Sequence, residues 1–191
     1  MNKKADSDSS SLEPAVDLSF RCINTAEDIL LEKPRYNLRS CKVSSQGKYY
    51  SRAIRLNNNT LTDLKGFKEV IEKLLDNSTE LAWIDLSFND LSAIDPVLTQ
   101  YPELQVLNLH GNSIAKLSEV DKLGALPNLK RLTLHGNPIE TEKGYRNYVL
   151  SVLPHLKSLD FSSVTKQERA TAEMWKRTHS KPKRMKQEVG P

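Results

Sequence analysis

The sequence predicts an α/β repeat solenoid, with a short parallel β-sheet on a concave side, helices and turns on the convex side, about five repeats and a C-terminal cap. Three observations carry that expectation. A nine-place pattern, apolar at the first, fourth and sixth places and Asn at the ninth, occurs as Leu81, Ile84, Leu86, Asn89, then as Leu104, Leu107, Leu109, Asn112, and again as Leu129, Leu132, Leu134, Asn137. Degenerate copies flank these: Ile54, Leu56, Asn59, with Ser51 in the first place, and Leu156, Leu159, Phe161, which lacks the Asn. The sixth-place residues Leu56, Leu86, Leu109, Leu134 and Phe161 stand 30, 23, 25 and 27 residues apart, a spacing suited to stacked supersecondary units of roughly 20 to 29 residues.

Each element follows from its residues. Residues 1–49 mix apolar islands (Leu18, Phe20, Ile23; Ile29, Leu30, Leu31) with polar stretches. They read as an N-terminal arm, partly disordered, that either caps the open first repeat or folds on binding a second protein. From 50 to 164 runs the repeat domain. In each repeat the apolar residues two apart form a short strand and point inward, because side chains alternate across a strand. An Asn offers both an amide donor and a carbonyl acceptor, so Asn59, Asn89, Asn112 and Asn137 are expected to satisfy the backbone where each strand turns away.

Phe67, Val70, Ile71, Leu74 and Leu75 fall at helical spacing and predict an amphipathic helix over Gly66–Asp76, which accounts for the longer first interval. The later returns, around Pro96–Tyr101 and Leu117–Pro127, are shorter and punctuated by proline, which predicts short helices or single turns. Tyr148, Val149, Val152 and Leu153 predict a closing helix. Thr165 with Glu168 is a capping-box pattern, so residues 165–179 are expected to hold a further helix reaching about Arg177. Residues 180–191, with Lys181-Pro-Lys-Arg-Met-Lys186, have little to bury and read as a basic disordered tail.

Composition narrows the function. Net charge is +4, but from 165 to 191 eight basic residues face three acidic ones, a local +5 that leaves the rest of the chain at −1. A near-neutral body argues against a body-wide nucleic-acid surface. The polar opening Met1–Ser11 lacks the apolar stretch of a secretory signal, and no run approaches the roughly 18 apolar residues of a membrane span. A cytoplasmic location, ciliary or nuclear settings included, is therefore expected. The two cysteines, Cys22 and Cys41, have no metal-ligand spacing and read as reduced thiols.

The Asn-x-Ile variant of the repeat, with the ending Gly136-Asn-Pro-Ile139 through Tyr145-Arg146, Val149 and Leu159-Asp160, resembles the leucine-rich repeat subclass typified by a nuclear regulator of protein phosphatase. The terminal segment is similar to the caps of the A-prime subunit of a spliceosomal ribonucleoprotein, of acidic nuclear phosphoproteins and of an axonemal dynein light chain. The resemblance covers about residues 50–164, and a closer likeness to one vertebrate member extends over most of the chain, Asp17–Phe20 included. It implies a non-enzymatic adaptor and names no ligand.

In such a solenoid the outward residues form columns across the concave sheet. The first column contains Ala53, Trp83, Val106, Arg131 and Ser158, the second Arg55, Asp85, Asn108, Thr133 and Asp160, and the third Asn57, Ser87, His110, His135 and Ser162. Trp83 is the leading candidate anchor, because an outward indole is large, rigid and apolar, and its removal from an interface can cost about 2 kcal/mol. Phe88, Asp85 and Arg131 are expected around it, and Asn108, His110 and His135 complete the candidate partner-binding set. His110 and His135 pair on adjacent strands without the third and fourth ligands a zinc site needs, so no metal and no cofactor is expected.

No nucleophile elbow or phosphate loop occurs, and Asp85 and Asp160 stand three strand spacings apart, roughly 14 Å, too far for paired catalytic carboxylates. The expected function is a non-catalytic adaptor holding one protein on the concave face. The alternative is a structural component of a ciliary axoneme or ribonucleoprotein assembly. In that case Lys181, Lys183, Arg184 and Lys186 dock on an acidic polymer such as tubulin tails. Nucleic acid itself is not favoured, since the tail has no aromatic residue after Trp175 for base stacking.

Overall fold

A computed structural model describes residues 13–35 and 40–179. One sheet of seven short strands runs in chain order: β1 Val16–Asp17, β2 Ala53–Arg55, β3 Trp83–Asp85, β4 Val106–Asn108, β5 Arg131–Thr133, β6 Ser158–Leu159 and β7 Ser162–Ser163. The first six are parallel and β7 is antiparallel to β6. The fold is the expected α/β solenoid. Ile54, Ile84, Leu107, Leu132 and Leu159 point inward from successive strands and are at most 1% exposed. Each such burial is worth about 1.5–3 kcal/mol.

The asparagine ladder forms as its chemistry requires. The Asn112 carbonyl oxygen accepts from Leu91 N at 3.0 Å, while its amide donates to the carbonyls of Leu86 and Leu109 at 2.9 Å. Asn89 and Asn137 repeat this arrangement one turn earlier and one turn later. Asn59 accepts from Arg21 N and Ile23 N and donates to the carbonyls of Leu18 and Leu56. Each side chain thus ties two neighbouring turns together.

Convex elements match the spacing of their apolar residues. Helix α1 (Phe67–Leu74) buries Phe67, Val70, Ile71 and Leu74, and the Phe67 ring meets Tyr101 edge-on at 6.1 Å. The shorter returns Pro96–Gln100 and Leu117–Ala125 are 3-10 turns, the first capped by the Asp95 carboxylate accepting from Val97 N at 2.8 Å. Helix α2 is Tyr145–Val152, and α3, Lys166–His179, lies against it. The capping box closes: Glu168 N donates to Thr165 Oγ1 at 3.2 Å, and Thr165 N donates to Glu168 Oε2 at 2.7 Å. Trp175 of α3 sits over Gly144, where any Cβ would stand 3.3 Å from the indole nitrogen.

Two ends differ from the sequence expectation. The sheet begins well before residue 50: β1 pairs with β2 through Val16↔Ile54 and Asp17↔Arg55, and Val16, Leu18, Ile23 and Ile29 are fully buried. Residues 13–35 therefore build a turn of the solenoid, with Arg21 where the other turns carry Asn. Arg35 N donates to Asp17 O at 2.7 Å and covers part of the outer edge of β1. At the other end the expected fifth strand does not run on to Ser162. The chain reverses at Asp160 and Phe161, both left-handed (φ 51° and 61°), and returns as β7. Asp160 takes over the missing Asn's task there, accepting from Leu134 N at 2.7 Å and His135 N at 3.0 Å.

Candidate functional site

The first column is as expected: Ala53, Trp83, Val106, Arg131 and Ser158 are successive partners across the sheet. Trp83, Val106 and Arg131 line an open trough of about 570 Å³ on the concave face, together with Asn108, Ser158 and Phe161. Trp83 is half-buried, and the Arg55 guanidinium lies 4.9 Å from its ring centre. Its indole N–H is buried and has no acceptor among the described residues. Arg131 is exposed, and its guanidinium makes no hydrogen bond or ion pair among the described residues.

The second column is a polar wire. Asp85 Oδ1 accepts from Ser87 N and Ser87 Oγ, and Asp85 Oδ2 accepts from Asn108 at 3.2 Å. Asp17 and Ser19 reproduce that motif two turns earlier, and Arg55 on the turn between reaches Asp17 at 3.7 Å. Burial pushes the Asp17 carboxyl up, but the Ser19 hydrogen bonds and the Arg55 and Arg35 charges outweigh it and hold the group below its usual range. Both carboxylates are thereby engaged in shaping the backbone after their strands.

Phe88, expected beside Trp83, lies elsewhere. It adopts the left-handed conformation (φ 53°) and lays its ring over Gly111, where a Cβ would come within 2.6 Å of Phe88 Cδ1. A fourth column thus exists, Phe20, Asn58, Phe88, Gly111 and Gly136, all with positive φ. From Phe88 an aromatic row continues along the third column. The ring meets His110 edge-on at 5.1 Å, and His110 stacks on His135 at 4.6 Å with planes 8° apart. Phe161 closes the row against both histidines.

His110 Nδ1 contacts Thr133 Oγ1 at 2.8 Å, and His135 Nδ1 lies 3.3 Å from Asp160 Oδ1. Burial and the neighbouring His135 lower the His110 pKa. The two Nδ1 atoms thus face different partners, Thr133 and Asp160. Among the described residues no group of three His, Cys, Asp or Glu is placed to hold a metal ion.

The candidate residues therefore divide. Trp83, Asn108 and Arg131 share the trough, Phe88, His110 and His135 share the aromatic row, and Asp85 joins the two through Asn108. Phe161 belongs to both groups and was not foreseen: its place in the repeat marks it as core, yet it is 71% exposed. Val164, three residues after it where the repeat carries Asn, is the signal in the sequence that this turn ends differently. Lys181, Lys183, Arg184 and Lys186 lie outside the described residues. No helix among those described is long and apolar enough to cross a membrane.

A sequence profile of the leucine-rich repeat family matches residues 53–190. Leucine-rich repeat-containing protein 51 of Bos taurus is 55% identical over 186 residues, covering 97% of each chain. The chain belongs to the leucine-rich repeat family, in the group of leucine-rich repeat-containing protein 51. The Homo sapiens member of this group is 54% identical over 184 residues, 96% of each chain. Leucine-rich repeat-containing protein 23 of Xenopus tropicalis is 40% identical over 98 residues, 51% of this chain and 28% of that protein. Among solved structures, the Drosophila melanogaster SNF/U2A′ complex contains a chain that superposes with a TM-score of 0.58 at 23% identity, over 81% of this chain and 92% of that one. That likeness is one of fold. As a leucine-rich repeat protein the chain is a protein–protein interaction module, of a kind that is typically non-catalytic.

Proposed function

We propose that this chain is a non-catalytic cytoplasmic adaptor that holds a partner protein on the concave face, with Trp83 as the anchor. The trough carries the proposal. Its walls combine a half-buried indole, the exposed Phe161 ring and an Arg131 without an ion pair among the described residues, features that favour docking of a folded or helical segment over retention of a small substrate. The carboxylates of Asp85 and Asp160, on the columns beside the trough, are committed to backbone hydrogen bonds, which suits a shaping role over an acid–base one.

Affinity purification from native tissue tests the proposal, comparing wild type, Trp83→Ala and a chain ending at Ser180. Truncating a central Trp anchor costs about 2 kcal/mol, roughly a 30-fold loss of affinity. A partner lost with Trp83→Ala and kept by the truncated chain supports the concave-face adaptor. A partner kept by Trp83→Ala and lost only on truncation assigns binding to the basic tail and to the structural role on an acidic polymer.

A further inference from the structure

We infer that the occupant of the trough is a partner helix that presents an Asp or Glu carboxylate to Arg131 and, one helical turn away, an apolar side chain over Val106 beside the Trp83 ring. The inference rests on the concave-face proposal and adds the partner's chemistry. Charge accounting along the sheet supplies the argument.

Arg55 is matched by Asp17 at 3.7 Å, Asp85 is held by Ser87 and Asn108, and Asp160 is held by Leu134 N, His135 N and the Tyr145 hydroxyl at 2.8 Å. Arg131 alone among the charged residues of these columns has no partner among the described residues. The Ser158 and Ser163 hydroxyls line the same end of the trough and are likewise unengaged. One guanidinium flanked by two neutral donors suits a group of charge −1. A phosphate monoester carries about −1.5 to −2 and would remain under-neutralised here.

Spacing fixes the rest. Val106 and Arg131 are direct partners on adjacent strands, about 4.8 Å apart. A helix crossing the strands rises about 5.4 Å per turn, so residues three or four apart on it fall over these two positions. The apolar residue then rests on Val106 beside Trp83, in the trough that Phe161 also lines, while the acidic residue meets the fork of Arg131.

A phage-displayed library of randomised helical peptides, selected on the full chain, tests this. Enriched peptides are expected to carry Asp or Glu three or four positions from Leu, Ile, Met or Phe. Their affinity should fall about tenfold with Arg131→Ala, and Arg131→Glu should restore binding to the same peptide with its acid changed to Lys. Arg131 is exposed, so both variants should keep the wild-type circular dichroism and melting temperature. Enrichment of peptides without an acid, binding indifferent to the charge at 131, or no enrichment at all overturns the inference. Peptides that ignore Arg131 yet lose binding on Trp83→Ala would overturn this inference alone and leave the concave-face adaptor standing.

Discussion

Asn59→Ala should detach the first turn of the solenoid while sparing the others. The Asn59 carbonyl oxygen serves two donors, Arg21 N at 2.9 Å and Ile23 N at 3.2 Å, and its amide serves Leu18 O at 3.0 Å and Leu56 O at 2.9 Å. Not all four groups are orphaned by the change. Leu56 O still accepts from Asn89, and Arg21 is half-exposed, so water reaches that neighbourhood. Ile23 N and Leu18 O belong to fully buried residues and lose their partners in a dry site. At about 1–3 kcal/mol for each buried orphan, the expected loss is about 3 kcal/mol, a large share of a typical domain's 5–15 kcal/mol.

Hydrogen exchange reads where that loss falls. The amides of Leu18 and Phe20, bonded to Arg55 O and Asn57 O, should exchange about 100-fold faster, whereas Leu109 N, bonded to Thr133 O, should change little. Urea unfolding should show the lower stability as a foot before the main transition. A loss below about 1 kcal/mol with unchanged protection at Leu18 and Phe20 would refute the claim that residues 13–35 form a true repeat.

Three further outcomes follow from the geometry. Gly111→Ala should destabilise more than Gly47→Ala: both have φ near +70° to +80° and share a strain of about 1 kcal/mol, but only at Gly111 would the new Cβ strike the Phe88 ring. With roughly 2–4 °C of melting temperature per kcal/mol, equal shifts for the two variants would deny Phe88 its seat. Glu168, held down to about 2 by the Arg146 and Thr165 hydrogen bonds, stabilises α3 above its unfolded pKa of 4.5 and loses that contribution as pH falls toward 2. Trp175 fluorescence should shift red across that window in the wild type, and in Glu168→Gln it should already be shifted at neutral pH and stay flat. His110, lowered by burial and by His135, favours the neutral ring, so stability should begin to fall as pH drops below about 6.5 and level off beneath the folded pKa. An NMR titration of the His110 ring with a midpoint above 6.5 would contradict this.

The repeats were legible because leucines at fixed places and an Asn at the ninth each do one physical task, and the sheet register Ala53, Trp83, Val106, Arg131, Ser158 follows directly from them. The first turn is hard to read because Arg21 stands where Asn is expected, although Asp17-Leu-Ser-Phe20 repeats Asp85-Leu-Ser-Phe88 letter for letter. That recurrence was the usable sign, and the matching hydrogen bonds of Asp17 and Asp85 to their serines show why the phrase recurs. Phe88 and Phe161 were misplaced for a different reason. Both sit at left-handed positions, where the period-two alternation of a strand ends and side-chain direction depends on backbone dihedrals that residue identity does not reveal. The paired glycines at 111 and 136 point to room above the sheet, but only the folded chain shows that the Phe88 ring fills it.

Docking of partners on the concave trough is open to direct test. Site-specific photo-crosslinking in cells addresses it most directly, with benzoylphenylalanine placed at Val106 in the trough or at the exposed Gln100 on the convex return. A discrete crosslinked species is expected from position 106 that disappears when Trp83→Ala is added, and none from position 100. A crosslink from position 100 with none from 106 would contradict it.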